Sequence, residues 1–388
     1  MGQEKKNSHS NKPKYQYINT FPDLQAFIAE IESEKILAVD LEADSMFHFK
    51  EKICLIQMST QNQSAVIDPL FIKDLSPLKP IFHNPAIKKI FHGADYDIRS
   101  LYRDFKIDIN NLFDTQLASM FLGIRETSLE AVCKARFNIK LDKKYQKKDW
   151  SIRPLPTPMV DYAAGDTKYL ISLYTELTKE LSAAKRDFWV IEECEYLSRV
   201  RSTNADNTPL FLKCRGAGRL DRQSLAVLEN LLQLRKTIAE KKDRPLFKVL
   251  SNSSLINIAT SMPLRLSELK KLNIISHKQQ NMYGKSLIKA IIPALKIPRE
   301  NLPLYPRKKK SVSVKASSRI KALKKCRDQL SEQFMLDPGL LLNKSLICTL
   351  AEKNPYNLDE LKKIPEIKNW QYKVFGTEIV KTLKTLPI

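Results

Sequence analysis

Along the first half of the chain, short apolar runs are separated by turn-prone residues, and longer amphipathic stretches follow. Ile36-Leu37-Ala38-Val39-Asp40-Leu41-Glu42-Ala43 is an apolar, partly β-branched run broken only by two carboxylates two residues apart, and it reads as a strand. A short amphipathic helix over residues 23–29 leads into it. Residues 53–59 and 64–68 read as two more strands joined by Gln61-Asn62-Gln63, so three strands in quick succession predict an antiparallel meander. A helix near 75–82 and a fourth strand over 88–92 come next. Helices are then expected near 97–105, 115–122 and 128–137, with a short strand at Leu112-Phe113. After a loop over 141–158, one long helix is expected from 159 to 181. Strands early and helices alternating later predict an α/β layer fold with a mixed sheet. Beyond residue 181 the pattern is almost wholly helical; Leu225, Leu228, Leu231, Leu232 and Leu234 recur at near-helical spacing, as core positions do.

Charge changes this picture most. The 388 residues hold 65 Lys and Arg against 43 Asp and Glu, a formal net charge of +22. Such an excess favours polyanions, nucleic acid first among them. No basic amphipathic stretch with a strong aromatic face suggests a membrane anchor, and no apolar run approaches spanning length. The polar, lysine-rich tail over 1–15 has no apolar segment of the signal-peptide kind, and Lys6 stands where a myristoylation signal starting at Gly2 needs Ser or Thr. The six cysteines form no C-x-x-C pair and read as reduced core residues, so a soluble cytoplasmic protein without structural zinc is expected.

The candidate chemistry lies in the carboxylates. On a strand, Asp40 and Glu42 project to one face while Val39 and Leu41 face the other way. Two acids in so apolar a run repel each other and are costly to desolvate, and a hard divalent cation would offset both effects. A surface strand carrying two ordinary acids is the competing reading. Tyr162 and Asp166 stand at i and i+4, one above the other on a helix face, with small residues between them. Asp95 and Asp97 follow a strand and a glycine turn; on a helix they point to nearly opposite sides, so at most one enters a site, and residue chemistry alone does not choose. Asp114 reads as a plain helix N-cap. Gathering Asp40, Glu42, one of Asp95 or Asp97, and Asp166 would build a cleft for two Mg²⁺ or Mn²⁺ ions, the arrangement that drives in-line displacement at a phosphodiester. Tyr162 would orient the attacking water. Trp150 and Arg153, in the loop before the long helix, are candidates to stack on or contact terminal nucleotides, with a core or loop-anchoring tryptophan as the alternative.

With these residues in view, the first half resembles the ribonuclease D family of 3′–5′ exonucleases. The resemblance is carried by Val39-Asp40-Leu41-Glu42, His92-Gly93-Ala94-Asp95-Tyr96-Asp97 and Leu112-Phe113-Asp114-Thr115. It continues through Leu141-Asp142-Lys143, Asp149-Trp150, Arg153-Pro154-Leu155 and Tyr162-Ala163-Ala164-Gly165-Asp166-Thr167. It implies a ribonuclease H-like fold, catalytic residues Asp40, Glu42, Asp97, Tyr162 and Asp166 with the four acids as metal ligands, and hydrolysis from a free 3′ end to 5′-mononucleotides. By resemblance the third ligand is Asp97.

The second half resembles HRDC domains, small helical nucleic-acid-binding modules. The first spans 213–296, with Leu220-Asp221-Arg222-Gln223, Leu234-Arg235 and Arg244-Pro245. A looser repeat spans 317–388, where Leu358-Asp359-Glu360-Leu361 answers Leu266-Ser267-Glu268-Leu269. Between them, 297–316 is proline-rich and carries Arg307-Lys308-Lys309-Lys310, the composition of a flexible basic strap, with Lys308, Lys309 and Lys310 as phosphate contacts. The expected domains are therefore a disordered tail over 1–15, an exonuclease domain over 16–200, an HRDC domain over 213–296, a basic linker over 297–316 and a second, diverged HRDC-like domain over 317–388. The expected protein is a monomeric exoribonuclease acting on RNA with a free 3′ end, tRNA precursors in particular. A DNA exonuclease of the same fold and a non-cutting RNA-binding tether are the alternatives.

Overall fold

The structure is a computed structural model, described here over residues 15–201, 208–306 and 314–385. Its first part is built from strands β1 (Gln16–Ile18), β2 (Ile36–Ala43), β3 (Ile53–Ser59), β4 (Ser64–Ile67), β5 (Lys88–Phe91) and β6 (Leu112–Asp114). Among the described residues they form one six-stranded sheet in the order β1-β4-β3-β2-β5-β6. The expected meander is there: β2–β3 and β3–β4 pair antiparallel, while β2–β5, β5–β6 and β1–β4 pair parallel, so the sheet is mixed.

Helix α1 (Phe21–Ile31) starts where the Thr20 side chain accepts from the Asp23 amide, and it buries Leu24, Phe27 and Ile31 along one face. The other helices of this part are α2 (Leu78–His83), α3 (Asp95–Phe105), α4 (Thr115–Phe121), α5 (Leu129–Phe137), α6 (Thr157–Asp166), α7 (Leu170–Ala183) and α8 (Asp187–Ser198). The sheet's two faces are distinct. Leu37, Val39 and Leu41 of β2 enter the main core, while Ala38 faces Leu170 and Ile171 of α7. The single helix expected over 159–181 is two helices. Helix α6 ends on Asp166 and α7 begins at Leu170; between them Thr167 is buried, with its hydroxyl 2.6 Å from the Ser59 hydroxyl.

The described chain divides into two compact units, 15–43 with 53–201 and 314–385, and 44–52 with 208–306. In the second unit, α9 (Arg222–Lys241), α10 (Leu246–Val249), α11 (Asn252–Ser261), α12 (Leu266–Lys271) and α13 (His277–Leu295) surround Leu225, Leu228, Leu231, Ile258, Leu287 and Ile291. Asp221 caps α9 by accepting from the Ser224 amide, and Ser276 caps α13 in a reciprocal capping box with Gln279. Residues 44–52 belong here: His48 Nδ1 meets Asp243 Oδ2 at 2.6 Å, and the Phe49 amide donates to Asp243 Oδ1 at 3.0 Å.

Helices α14 (Val314–Phe334), α15 (Pro338–Leu341), α16 (Lys344–Lys353), α17 (Leu358–Lys362) and α18 (Asn369–Lys384) complete the first unit. These helices share one hydrophobic core with the sheet domain. Trp189 of α8 stacks on Trp370 of α18 at 4.7 Å between ring centroids, and Phe121 meets both edge-on. Glu192 accepts from the Asn369 and Trp370 amides at 2.7 and 2.8 Å, and Glu193 accepts from the Trp370 indole at 2.8 Å. Gly123, at φ +80°, lies so close beneath the Met335 carbonyl that a Cβ would stand 2.7 Å from its oxygen. No helix of the described residues is long and apolar enough to cross a membrane.

Candidate active site

Strand alternation puts Asp40 and Glu42 on the face opposite Val39 and Leu41, as the pattern requires. On that face they line a cleft of about 340 Å³ together with His92, Tyr162 and Asp166. Asp166 enters from the last turn of α6, where the helix dipole disfavours an acid, so its position serves the cleft rather than the helix. Asp97 stands just behind the lining in the first turn of α3, 8% exposed. Asp95, two residues earlier, points outward and forms a two-pronged ion pair with Arg99 at 2.8 and 3.0 Å. Helical geometry therefore separates the two aspartates and leaves Asp97 as the inward one.

Burial is the largest influence on all four inward acids. It pushes Asp40 up to about 7, against the lowering effect of the Leu41 amide. Asp166 is pushed up to about 8 by burial and then by Asp40. Glu42 rises well above the usual carboxyl range through burial and the charges of Asp40, Asp166 and Asp97. Asp97 does the same through burial, Asp40 and Asp114. Among the described residues, no Lys, Arg or His forms an ion pair with any of the four. The side chains share a cleft without closing on one point: no three Asp, Glu, His or Cys side chains of the described residues are grouped at metal-binding range.

Tyr162 is half-buried above Asp166. Burial, then the charges of Asp166, Glu42, Asp40 and Asp142, raise its phenol above the ordinary range, so it stays protonated at neutral pH. Its ring leans on Trp150 and Tyr145, with centroids at 6.1 and 5.8 Å.

Two candidates move away from the substrate. Trp150 is 1% exposed and packs with Val66, Met159 and Ala163, so it supports the wall behind Tyr162 and has no face free to stack on a base. Arg153 is held by Asp68 at 2.6 and 2.8 Å and donates to the carbonyls of Trp150 and Cys54, which anchors the loop and leaves no fork for a phosphate. Lys308, Lys309 and Lys310 lie outside the described residues.

One residue does more than the sequence suggests. Asp114 caps α4 by accepting from the Gln116 and Leu117 amides, and it also accepts from the Gly93 and Ala94 amides at 3.0 and 2.8 Å. It thus ties the β5–α3 turn, which aims Asp97, to the start of α4. Gly93 sits in that turn at φ +78°, with Gln116 Oε1 3.0 Å from where a Cβ would be. His92 locks the same junction between Thr115 Oγ1 and the Thr127 carbonyl, each at 2.9 Å, and burial holds its pKa down. Glu130, Asp142 and Lys143 also line the cleft, and Lys143 pairs with Glu130. Asp142 and Lys143 fall in the Leu141-Asp142-Lys143 stretch that carries the resemblance, whereas nothing in the sequence singled out Glu130.

These features define a 3′–5′ exonuclease of ribonuclease H-like fold with helical modules behind it, and known proteins agree. Residues 15–182 match the 3′–5′ exonuclease domain family, and residues 224–291 and 317–383 each match the HRDC domain. Ribonuclease D of Bartonella henselae is 27% identical over 370 residues, covering 95% of this chain and 89% of that one. Protein RRP6-like 1 of Arabidopsis thaliana is 30% identical over 375 residues, 88% of this chain but 58% of the relative's length. The crystal structure of Escherichia coli RNase D superposes with a TM-score of 0.73 at 25% identity, covering 96% of this chain and all of that one. The chain belongs to the ribonuclease D family of 3′–5′ exonucleases. Exonucleases of this family depend on divalent metal ions.

Proposed function

We propose that this protein removes nucleotides one at a time from the free 3′-hydroxyl end of RNA, releasing 5′-mononucleotides, with two divalent cations held by Asp40, Glu42, Asp97 and Asp166. The observation that carries this reading is a cleft of acids whose protons burial and mutual repulsion hold on, with no cationic side chain of the described residues paired to any of the four. A hard divalent cation supplies that relief and takes carboxylate oxygens. When bound, a pair of such ions would supply activation of a water and stabilisation of the leaving oxygen of a phosphodiester. The chain's own part is to hold and orient. Tyr162, kept protonated, gives a hydrogen bond that fixes the water's direction, and Asp114 keeps the turn carrying Asp97 in place.

Substrates of the structured-RNA class, tRNA precursors above all, fit the family resemblance, and the Escherichia coli relative is described as an exoribonuclease involved in structured RNA processing. The +22 charge and the HRDC modules suit phosphate contacts that hold RNA without reading its sequence, and we assign Lys308, Lys309 and Lys310 to that role. Six cysteines that form no disulfide suit a cytoplasmic enzyme. The test is product analysis on 5′-labelled RNA. A ladder shortening from the 3′ end with Mg²⁺ or Mn²⁺, abolished by a chelator and by a 3′-phosphate block, is the expected result. Internal cuts, or full activity in chelator, would refute the reading; equal digestion of a matched DNA strand would move the substrate class away from RNA.

A further inference from the structure

Gln57 of β3 stands directly opposite Asp40 of β2. Opposed residues of an antiparallel pair project to the same face, with Cβ atoms about 4.5–5.5 Å apart. The Gln57 amide therefore lies on the sheet face of Asp40, on the side away from the main core. It is fully buried, and neither its Oε1 nor its Nε2 has a hydrogen-bond partner among the described residues. Two residues along on the same face, Ser59 is matched with Thr167 at 2.6 Å, so the neighbouring polar pair is satisfied where Gln57 is not. The strand neighbours Leu55 and Val66 belong to an apolar cluster with α6. Leucine would fill such a position without the desolvation penalty of an amide left unpaired at both ends.

We propose that Gln57 is a positioning residue for Asp40: its Nε2, unpaired in this structure, donates to the Asp40 carboxylate once a cation is bound and fixes the rotamer in which Asp40 holds it. Carboxylates that bind metals are themselves hydrogen-bonded, and those outer partners orient them. An amide suits this place because it is neutral over the whole pH range. A lysine or arginine there would pair with Asp40 and compete with the cation. The inference rests on the metal reading above.

The test compares Gln57→Leu, Gln57→Met, Asp40→Asn and the Gln57→Leu/Asp40→Asn double variant with the unaltered full chain. Mn²⁺ binding is measured by calorimetry, melting temperature without metal by scanning fluorimetry, and RNA cleavage by steady-state kinetics. Both Gln57 variants should bind Mn²⁺ about 10–100-fold more weakly and lose kcat with little change in KM, yet melt no lower than the unaltered protein without metal. In the double variant the two losses of affinity should not add. A purely structural role moves stability and affinity down together; the proposed role moves them apart. Mn²⁺ affinity within about twofold of the unaltered protein in both Gln57 variants, or a lower melting temperature in both without metal, overturns the proposal. In that case loss of binding by Asp40→Asn would leave the metal reading standing. No Mn²⁺ uptake by the unaltered protein overturns both.

Discussion

Asp97 turns inward from the first turn of α3, while Asp95, two residues earlier, pairs with Arg99 at the surface. Asp97→Asn should abolish RNA cleavage and Asp95→Asn should leave most of it; the reverse result in a simple cleavage assay would reassign the third acid. Tyr162→Phe should lower kcat more than it raises KM, because the phenol orients a reacting water and does not grip the strand. A change confined to KM would speak against that role. The raised acids also make stability depend on pH. Ordinary carboxyls lose their protons near about pH 4, whereas folded Asp40 and Asp166 hold theirs to about 7 and about 8. Between those values the unfolded chain has released protons that the folded chain keeps, so stability falls as pH rises through this window. In chelator, the melting temperature should drop from pH 5 towards pH 8, an excess of Mn²⁺ at pH 8 should restore it, and Asp40→Asn should flatten the slope. At this scale Asp40, Glu42 and the Tyr162–Asp166 pair were legible, because strand and helix periods dictate which side chains share a face. Trp150 and Arg153 were not, since the acid that holds Arg153 lies 85 residues away at Asp68 and no local pattern announces it.

At the scale of elements, the break between α6 and α7 lets Asp166 close a helix over the cleft. It was hidden because the partner of the Thr167 hydroxyl, Ser59, lies 108 residues away on another strand. The meander and the parallel strands β5 and β6 were readable from apolar runs and turn residues. The fusion of α14–α18 with the sheet domain was not, since it depends on aromatic residues meeting across 181 positions of sequence, Trp189 on Trp370. Trp370→Ala would open a large cavity in that shared core. A loss of about 3–5 kcal/mol is expected for such a truncation, seen as a single unfolding transition moved to lower denaturant, with the sheet domain and α14–α18 melting together. Two well-separated transitions would instead mean that the helices fold independently.

For the molecule as a whole, the excess of basic residues should make RNA affinity fall steeply with salt. Each phosphate contact on a single strand contributes about 0.7 to the slope of log affinity against log salt. Neutralising Lys308, Lys309 and Lys310 together should shallow that slope by up to about two while leaving kcat on a short oligonucleotide unchanged; a slope that stays the same would remove them from the binding surface.

Glu192 grips the opening amides of α18 from 177 residues upstream, and the Trp189–Trp370 stack seals the same joint. A backbone nick between residues 201 and 208 would therefore sever the polypeptide without parting it. The two pieces would still elute as one species in gel filtration and come apart only once a denaturant had dissolved the seam between α8 and α18.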